Sequence, residues 1–88
     1  MTEPGELSVL VRYFAAARVA AGKTEESVQL PRGATVADLV ATIGTGRAEL
    51  ARVLLRCSYL HNEVAVREAT EQLGAASTID VLPPFAGG

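Results

Sequence analysis

The chain has 88 residues, of which 49% are hydrophobic, enough for one hydrophobic core but too few for two. Eight basic residues against ten acidic ones give a net charge of −2, so no basic field is available to hold a nucleic acid backbone. Cys57 is the sole cysteine, which excludes an internal disulfide and a CxxC metal site. We therefore expect a single domain with no nucleic acid partner and no bound metal.

The composition also bears on location. Residues 1–6 are acidic and lack the cationic start and apolar stretch of a signal peptide. No apolar run approaches the length of a membrane span, and a lone thiol suits a reducing compartment. We expect a soluble, cytoplasmic protein with no membrane partner.

The first third of the chain predicts two strands flanking a short helix. Residues 7–14 alternate apolar and polar side chains with the period of a strand. Residues 15–21 are rich in alanine and favour a helical turn, for which Gly22 provides a left-handed C-cap. Residues 25–30 alternate more weakly and end at the turn 31–33. The two strands are expected to pair as an opening hairpin.

The main helix is predicted after this turn. Thr35 and Asp38 have the spacing of a capping box, apolar residues then recur at helical spacing, and Gly44 ends the pattern. The stretch 44–47 contains two glycines but lacks the lysine of a phosphate-binding loop, so we interpret it as a helix stop. Residues 47–56 predict either a second short helix or an irregular packed segment.

The last third predicts a small hairpin and a final strand. Residues 57–60 and 64–66 flank a turn in which Asn62 tolerates a left-handed backbone and His61 is exposed. Residues 74–77 are interpreted as a loop, and residues 78–82 as the last strand. Pro83 and Pro84 cannot donate backbone hydrogen bonds, so the ladder must stop before them.

This order of elements predicts an α+β fold, the ubiquitin-like β-grasp roll, in which a mixed sheet packs on one main helix. The single domain is expected to span residues 1–82, with residues 1–6 disordered. Residues 83–88 are expected to form an extended, flexible tail that ends in Gly87 and Gly88.

The internal residues give no case for catalysis. Cys57 and His61 are four apart, which in an extended segment places them about 13 Å from each other, too far to share a proton. Cys57 is interpreted as a small buried hydrophobic residue. Glu25 and Glu26 are adjacent in a strand, so they face opposite ways and are expected to be solvated.

The C-terminal tail, residues 83–88, gives the clearest indication of function in the sequence. Its six residues, fully extended, reach roughly 20 Å from the domain. Two prolines limit the conformational freedom of its base, and two terminal glycines remove every side chain near the carboxylate. Such a slender end can enter a narrow tunnel of another protein, where its carboxylate would be a substrate.

The sequence resembles the MoaD family, the small subunits of molybdopterin synthase, which are ubiquitin-like sulfur carriers. The resemblance rests on residues 11–15 (Val-Arg-Tyr-Phe-Ala), residues 35–39 (Thr-Val-Ala-Asp-Leu), the hairpin Asn62 and, most specifically, the Pro-Pro-Phe-Ala-Gly-Gly end. Glu63 and residues 76–77 depart from the family pattern at turns. Phe85 replaces a common valine, which affects the choice of partner and leaves the glycines intact.

The resemblance implies a reaction at Gly88. A ubiquitin-activating-type (MoeB-like) enzyme would use ATP and magnesium to adenylate the Gly88 carboxylate, and sulfur transfer would then give a thiocarboxylate. This sulfur would be donated to cyclic pyranopterin monophosphate in the active site of a MoaE-like large subunit, in a heterotetramer of two small and two large subunits. The chain itself would bind no cofactor and would supply no acid or base.

The same resemblance implies which residues meet the partner. The tail residues Pro83, Pro84, Phe85, Ala86 and Gly87 would insert into it. Phe14, Leu82 and Phe85, apolar groups near the last strand and the start of the tail, would contribute to the surrounding interface.

Three other hypotheses about the function remain open. The chain could carry sulfur for another acceptor, such as thiamin thiazole, cysteine or another thiolated metabolite. It could be a protein modifier that joins Gly88 to lysines of other proteins, although its own single lysine, Lys23, limits self-conjugation. It could also be a passive interaction module that does not need its terminal glycines.

Overall fold

The computed structural model describes residues 6–84. These residues form five strands and three helices, in the order β1 (Glu6–Tyr13), α1 (Ala15–Ala21), β2 (Glu25–Pro31), α2 (Val36–Gly44), α3 (Ala48–Leu54), β3 (Ser58–His61), β4 (Val64–Ala65) and β5 (Ala76–Leu82). Residues 47–56 thus contain a helix, which decides between the two predicted alternatives.

The strands form one mixed sheet in the order β2-β1-β5-β3-β4. The two strands most distant in sequence, β1 and β5, pair in parallel at its centre. The pairs β1 with β2, β5 with β3 and β3 with β4 are antiparallel. This topology, with α2 as the longest helix, confirms the predicted β-grasp roll.

The core lies between one face of the sheet and the helices. The side chains of β1 alternate as predicted, with Leu7, Val9, Val11 and Tyr13 buried. Ile79 and Val81 of β5 lie beside them and are fully buried. From the helices, Leu39 and Leu50 complete the core without exposed surface, so burial of these apolar side chains fixes which face of each element points inward.

The main helix begins at the predicted capping box. The backbone N–H of Asp38 donates to Thr35 Oγ1 over 3.2 Å, and the Thr35 N–H donates to Asp38 Oδ2 over 2.9 Å. Two of the N–H groups that a helix start leaves unpaired bond to a later segment, from Val36 to the Glu71 carbonyl and from Ala37 to the Ala69 carbonyl.

The main helix ends at Gly44, as predicted, and Gly46 follows with a left-handed φ of 73°. A Cβ placed on Gly44 would lie 3.3 Å from Ala51 Cβ. The close approach of α2 and α3 therefore requires a small residue at this position.

The β3–β4 turn is held against β5. Asn62 and Glu63 both have positive φ, 50° and 72°, as the tight hairpin turn requires. Asn62 extends the ladder beyond β3, because its N–H donates to the Thr78 carbonyl and its Oδ1 accepts the Thr78 N–H. The left-handed conformation expected of Asn62 is confirmed, and Glu63 adopts one too.

Two strands begin earlier than the sequence predicted. Glu6, which we expected to precede the ordered domain, is the first residue of β1 and pairs with Pro31. Ala76 and Ser77, interpreted as a loop, belong to β5 because they pair with Ser8 and Val9 of β1. Ala76 and Ser77 are small residues with little strand propensity of their own. They form part of β5 because they pair with a strand 68 positions earlier in the sequence.

We predict that Thr35→Ala lowers the free energy of unfolding by about 1 kcal/mol, because the Asp38 N–H loses its acceptor at the start of α2. A urea titration would measure the loss. The matched control is Thr42→Ala, whose hydroxyl donates to an Asp38 carbonyl inside the same helix, and it should change stability by less than about 0.5 kcal/mol. Equal losses in the two variants would contradict the capping role.

Candidate functional site

The last strand leads directly from the centre of the sheet to the start of the tail. Val81 is fully buried, Leu82 and Pro83 are half-buried, and Pro84 is exposed. The strand ends at Leu82 because neither of the two prolines that follow can donate to a neighbouring strand. The tail therefore starts from one of the best-anchored strands of the fold.

Neighbouring elements flank this point on both sides. On one side, β1 ends at Tyr13 opposite Val81, and the Phe14 N–H donates to the Val81 carbonyl over 3.2 Å. On the other side, Ser58 at the start of β3 pairs with Leu82. Phe14 and Leu82 thus lie at the same end of the sheet, where the prolines begin. We call Phe14, Leu82, Pro83 and Pro84 the tail root.

Phe14 is an exposed aromatic residue at a sharp bend of the backbone. Its residue surface is 41% exposed, and it forms the N-cap of α1. The next residue, Ala15, has a φ of 50°, a left-handed conformation that costs an alanine roughly 1 to 2 kcal/mol. This bend turns the chain from β1 into α1 and leaves the aromatic ring at the surface.

The other predicted tail residues, Phe85, Ala86, Gly87 and Gly88, lie outside the described residues. Their insertion into a partner, and the reaction at the Gly88 carboxylate, stay predictions. What the structure brings together is the tail root, which includes both interface residues predicted within the described part of the chain, Phe14 and Leu82.

A partly buried ion pair contacts the Tyr13 side chain at the end of β1. Arg47 forms two hydrogen bonds with the Glu26 carboxylate, of 2.7 and 3.0 Å, and the Tyr13 hydroxyl donates to the same carboxylate. Lys23 lies 3.7 Å from it. The prediction that Glu25 and Glu26 face opposite ways is correct, but the expectation that both are solvated is wrong for Glu26, whose side chain is only 16% exposed.

This arrangement shifts the acidity of two groups. Hydrogen bonds from Arg47 lower the pKa of Glu26 to about 2, although burial acts in the opposite direction. Burial, together with the neighbouring carboxylate, raises the pKa of Tyr13. At neutral pH the cluster therefore holds a charged glutamate, a charged arginine and a neutral tyrosine, an arrangement that joins the segment before α3 to the first two strands.

His61 is not the exposed loop residue that we predicted. It is the last residue of β3 and its side chain is 14% exposed, with Nδ1 2.7 Å from a Glu71 carboxylate oxygen and Nε2 3.0 Å from Ser77 Oγ. The period of the strand places His61 on the same face as Tyr59, and this was a signal that His61 belongs to β3. Its hydrogen-bond partners, Glu71 and Ser77, are 10 and 16 residues away in the sequence, so the strand pattern does not predict them.

The contacts among Ser77, His61 and Glu71 have the order of a hydrolase triad, but the serine is the second residue of β5 and is held against the turn that precedes this strand. Ser77 is 5% exposed, and its Oγ accepts the Gly74 N–H over 3.0 Å. A nucleophile must reach a substrate carbonyl, and this hydroxyl instead fixes the start of β5. We therefore assign the cluster a structural role.

Cys57 is half-buried, and its thiol lies 3.3 Å from the Val53 carbonyl. Burial raises the pKa of this thiol, which keeps it protonated and a weak nucleophile at neutral pH. Across residues 6–84, no group of three or more histidine, cysteine, aspartate or glutamate side chains could hold a metal ion. Within the same range, no helix is long and apolar enough to cross a membrane.

Residues 11–88 match the ThiS family. The chain belongs to the ThiS family. The match includes the tail root and the Gly-Gly end, and it begins within β1.

Named relatives are consistent with this membership. The chain is 32% identical, over 83 residues, to the molybdopterin synthase sulfur carrier subunit of Chlamydomonas reinhardtii, covering 93% of this chain and all of the relative. It is also similar to the solved structure of molybdopterin converting factor, subunit 1, from Pyrococcus furiosus, with 29% identity, a TM-score of 0.81 and coverage of 90% of this chain and 99% of the other. These similarities confirm the predicted resemblance to the molybdopterin synthase small subunits.

A third relative within the same fold carries a different name. The small archaeal modifier protein 1 of Methanosarcina acetivorans is 26% identical, with a TM-score of 0.76 over 94% of this chain and 98% of the other. The fold of this ThiS-family chain is thus similar to those of a protein named as a molybdopterin converting factor subunit and of a protein named as a small archaeal modifier.

We predict that Glu26→Gln weakens the dependence of stability on acid pH. Because folding lowers the pKa of Glu26 from 4.5 to about 2, its stabilising effect is fully present above about pH 4.5 and is lost as the pH falls toward 2. Urea titrations at several pH values in this window would measure the slope. The control is Glu25→Gln, on the opposite face of the same strand; a slope that changes as much in this control would contradict the role of Glu26.

Proposed function

We propose that this chain is the sulfur carrier subunit of a molybdopterin synthase, with Gly88 as the residue that carries the sulfur. The observation that supports this most directly is the tail root, where a central, well-anchored strand ends at two prolines followed in the sequence by Phe-Ala-Gly-Gly. The names of the Chlamydomonas and Pyrococcus relatives point to the same role.

Activation of the Gly88 carboxylate is the first step. A carboxylate oxygen attacks the α-phosphorus of ATP, which releases pyrophosphate and leaves an acyl adenylate. Sulfur at the oxidation level of hydrosulfide then attacks the acyl carbon and displaces AMP, so that sulfur replaces one carboxylate oxygen without any change of oxidation state. ATP and magnesium belong to a MoeB-like activating enzyme, and this chain contributes the carboxylate and the shape that delivers it.

Sulfur delivery follows in a second partner, the MoaE-like large subunit. There the thiocarboxylate attacks cyclic pyranopterin monophosphate, and two successive carriers supply the two sulfur atoms of the dithiolene. The general acids and bases belong to the large subunit. We propose an assembly of two small and two large subunits, located in the cytoplasm.

The residues of this chain have two tasks in the sequence of reactions. The ladders on both sides of β5 hold the base of the tail in place, and Pro83 and Pro84 restrict the directions in which it leaves the domain. Phe14 and Leu82, together with Phe85 beyond the described residues, supply the apolar surface that the partners bind.

Protein modification is the second candidate function, and the name of the Methanosarcina relative favours it. In that case the same acyl adenylate would pass to a thiol and then to a lysine amine of another protein, forming an isopeptide bond at Gly88. Sulfur delivery to a different metabolite is a variant of the first proposal, with the same activated carboxylate and another acceptor.

We predict that the chain purified from its own host with an N-terminal tag contains a fraction whose mass corresponds to replacement of one oxygen by sulfur. Intact-protein mass spectrometry would detect it. The matched control lacks Gly88 alone and should carry no sulfur, since it ends in a carboxylate that is one residue short of the activating site.

The same preparation separates the alternatives. If Gly88 is found in isopeptide bonds to lysines of other proteins, the chain is a protein modifier and not a sulfur carrier. An unmodified C-terminus under growth conditions that demand the molybdenum cofactor would contradict both. Co-purification of a large subunit would identify molybdopterin synthesis among the sulfur pathways.

We predict that Phe14→Ala and Leu82→Ala each weaken binding to the large subunit by roughly tenfold or more, because each removes buried apolar contact at the tail root. Isothermal titration calorimetry would measure the affinity. Val19→Ala is the matched control, since Val19 is 79% exposed on α1, and its affinity should equal that of the unchanged chain. Unchanged affinity in both tail-root variants would refute the predicted interface.

A further inference from the structure

An apolar groove of about 580 Å³ runs between the main helix and the β3–β4 side of the sheet. Its walls are mostly aliphatic, and Leu55 at its edge is 86% exposed. Among the lining residues, Arg67 carries the charge. The apolar walls are formed by Val36, Val40, Leu54, Leu55, Tyr59 and Val66.

The groove lies next to the tail root. Cys57 and Ser58 line it, and Ser58 is the residue that pairs with Leu82 at the end of β5. The strand that leads into the tail therefore ends beside the groove. The sequence that follows contains one large apolar residue, Phe85, and ends at a carboxylate on Gly88.

We propose that this groove receives residues 85–88 of a second copy of the chain, so that two copies exchange their tails. The Phe85 ring matches the aliphatic walls, and the C-terminal carboxylate matches the charge of Arg67. Four residues extend over roughly 13 to 14 Å, so Phe85 and the C-terminal carboxylate can contact different parts of the groove.

The prolines argue for a second copy as the source of the tail. The lining residues Ser58 and Tyr59 pair with Leu82 and Val81, so the groove lies level with the end of β5. To enter its own groove, the tail would have to turn back after Leu82, but Pro83 and Pro84 fix φ near −65°, and Pro84 also restricts Pro83 to extended conformations. In a two-fold symmetric pair, each tail continues outward into the neighbouring copy. The tail root and the groove lie side by side in each copy. A single two-fold symmetric interface can therefore hold both contacts, the tail of each copy in the groove of the other.

Tail exchange would regulate access to Gly88. A carboxylate held in the groove of another copy is shielded from an activating enzyme, so self-association and activation compete for the same residues. This goes beyond the proposed sulfur chemistry, because the exchange depends on Phe85, Arg67 and the groove whether or not the tail is ever activated.

The single cysteine makes the exchange testable by crosslinking. Cys57 lines the groove, and Ala86→Cys adds one thiol to the tail. Under oxidation with oxidised glutathione at alkaline pH, which favours the thiolate of Cys57, the two thiols of different copies should form a Cys57 disulfide to the introduced cysteine, giving a dimer on a non-reducing gel. Peptide mass spectrometry identifies the linked positions. Val19→Cys, with its new thiol exposed on α1, is the matched control.

Three results of this experiment would overturn the proposal. They are a dimer yield no higher than in the Val19→Cys control, a disulfide within one chain, and a dimer linked only between the two introduced cysteines. A disulfide within one chain would assign the groove to the tail of the same copy.

Sedimentation velocity on chains without added cysteines provides an independent measurement. We predict that the unchanged chain dimerises in a concentration-dependent manner and that Phe85→Ala weakens the dimer by tenfold or more. Arg67→Glu should also weaken it, while Arg32→Glu, in the turn after β2, should not. A chain that is monomeric at every concentration would refute the exchange and leave the sulfur-carrier proposal intact, since the latter is tested by the mass at Gly88.

Discussion

The parallel pairing of β1 with β5 is the constraint on which the rest of the structure depends. It joins residues 68 positions apart, so the whole chain between them, including the main helix and the small hairpin, lies between two strands that are neighbours in the sheet. The same pairing places β5 in the middle of the sheet, with β1 on one side and β3 on the other. Everything that we assign to the tail root follows from where β5 ends.

Two side-chain clusters then stabilise what the ladder has brought together. Glu26 and Arg47 connect the opening strands to the segment before α3, while His61, Glu71 and Ser77 connect β3 to the start of β5. Both lie within the domain, on residue types that in other settings carry chemistry. Here their polar atoms are satisfied by neighbours, which is the usual condition for buried polar groups.

Local sequence patterns predicted most of the fold, because each of these patterns involves residues that are close together in the sequence. The alternation along β1, the Thr35–Asp38 capping box and the left-handed Asn62 each depend on positions a few residues apart, and the structure confirms them. The start of β5 and the partners of Glu26 and His61 were not predicted, since they depend on distant residues that only the folded chain brings close. At the tail root, Phe14 and Leu82 were predicted as interface residues beside a family resemblance, and this role stays a prediction; periodicity alone gives no reason to place them at the same end of the sheet.

The direction of β5 has a mechanical consequence. Because β1 and β5 are parallel, a force that pulls the C-terminal end outward while the rest of the domain is held loads their hydrogen bonds along the strands. Bonds loaded in this shear geometry share the force and must break together, whereas bonds at the end of a hairpin can open one after another. A partner that grips the tail can therefore pull on it strongly during release without unravelling the domain.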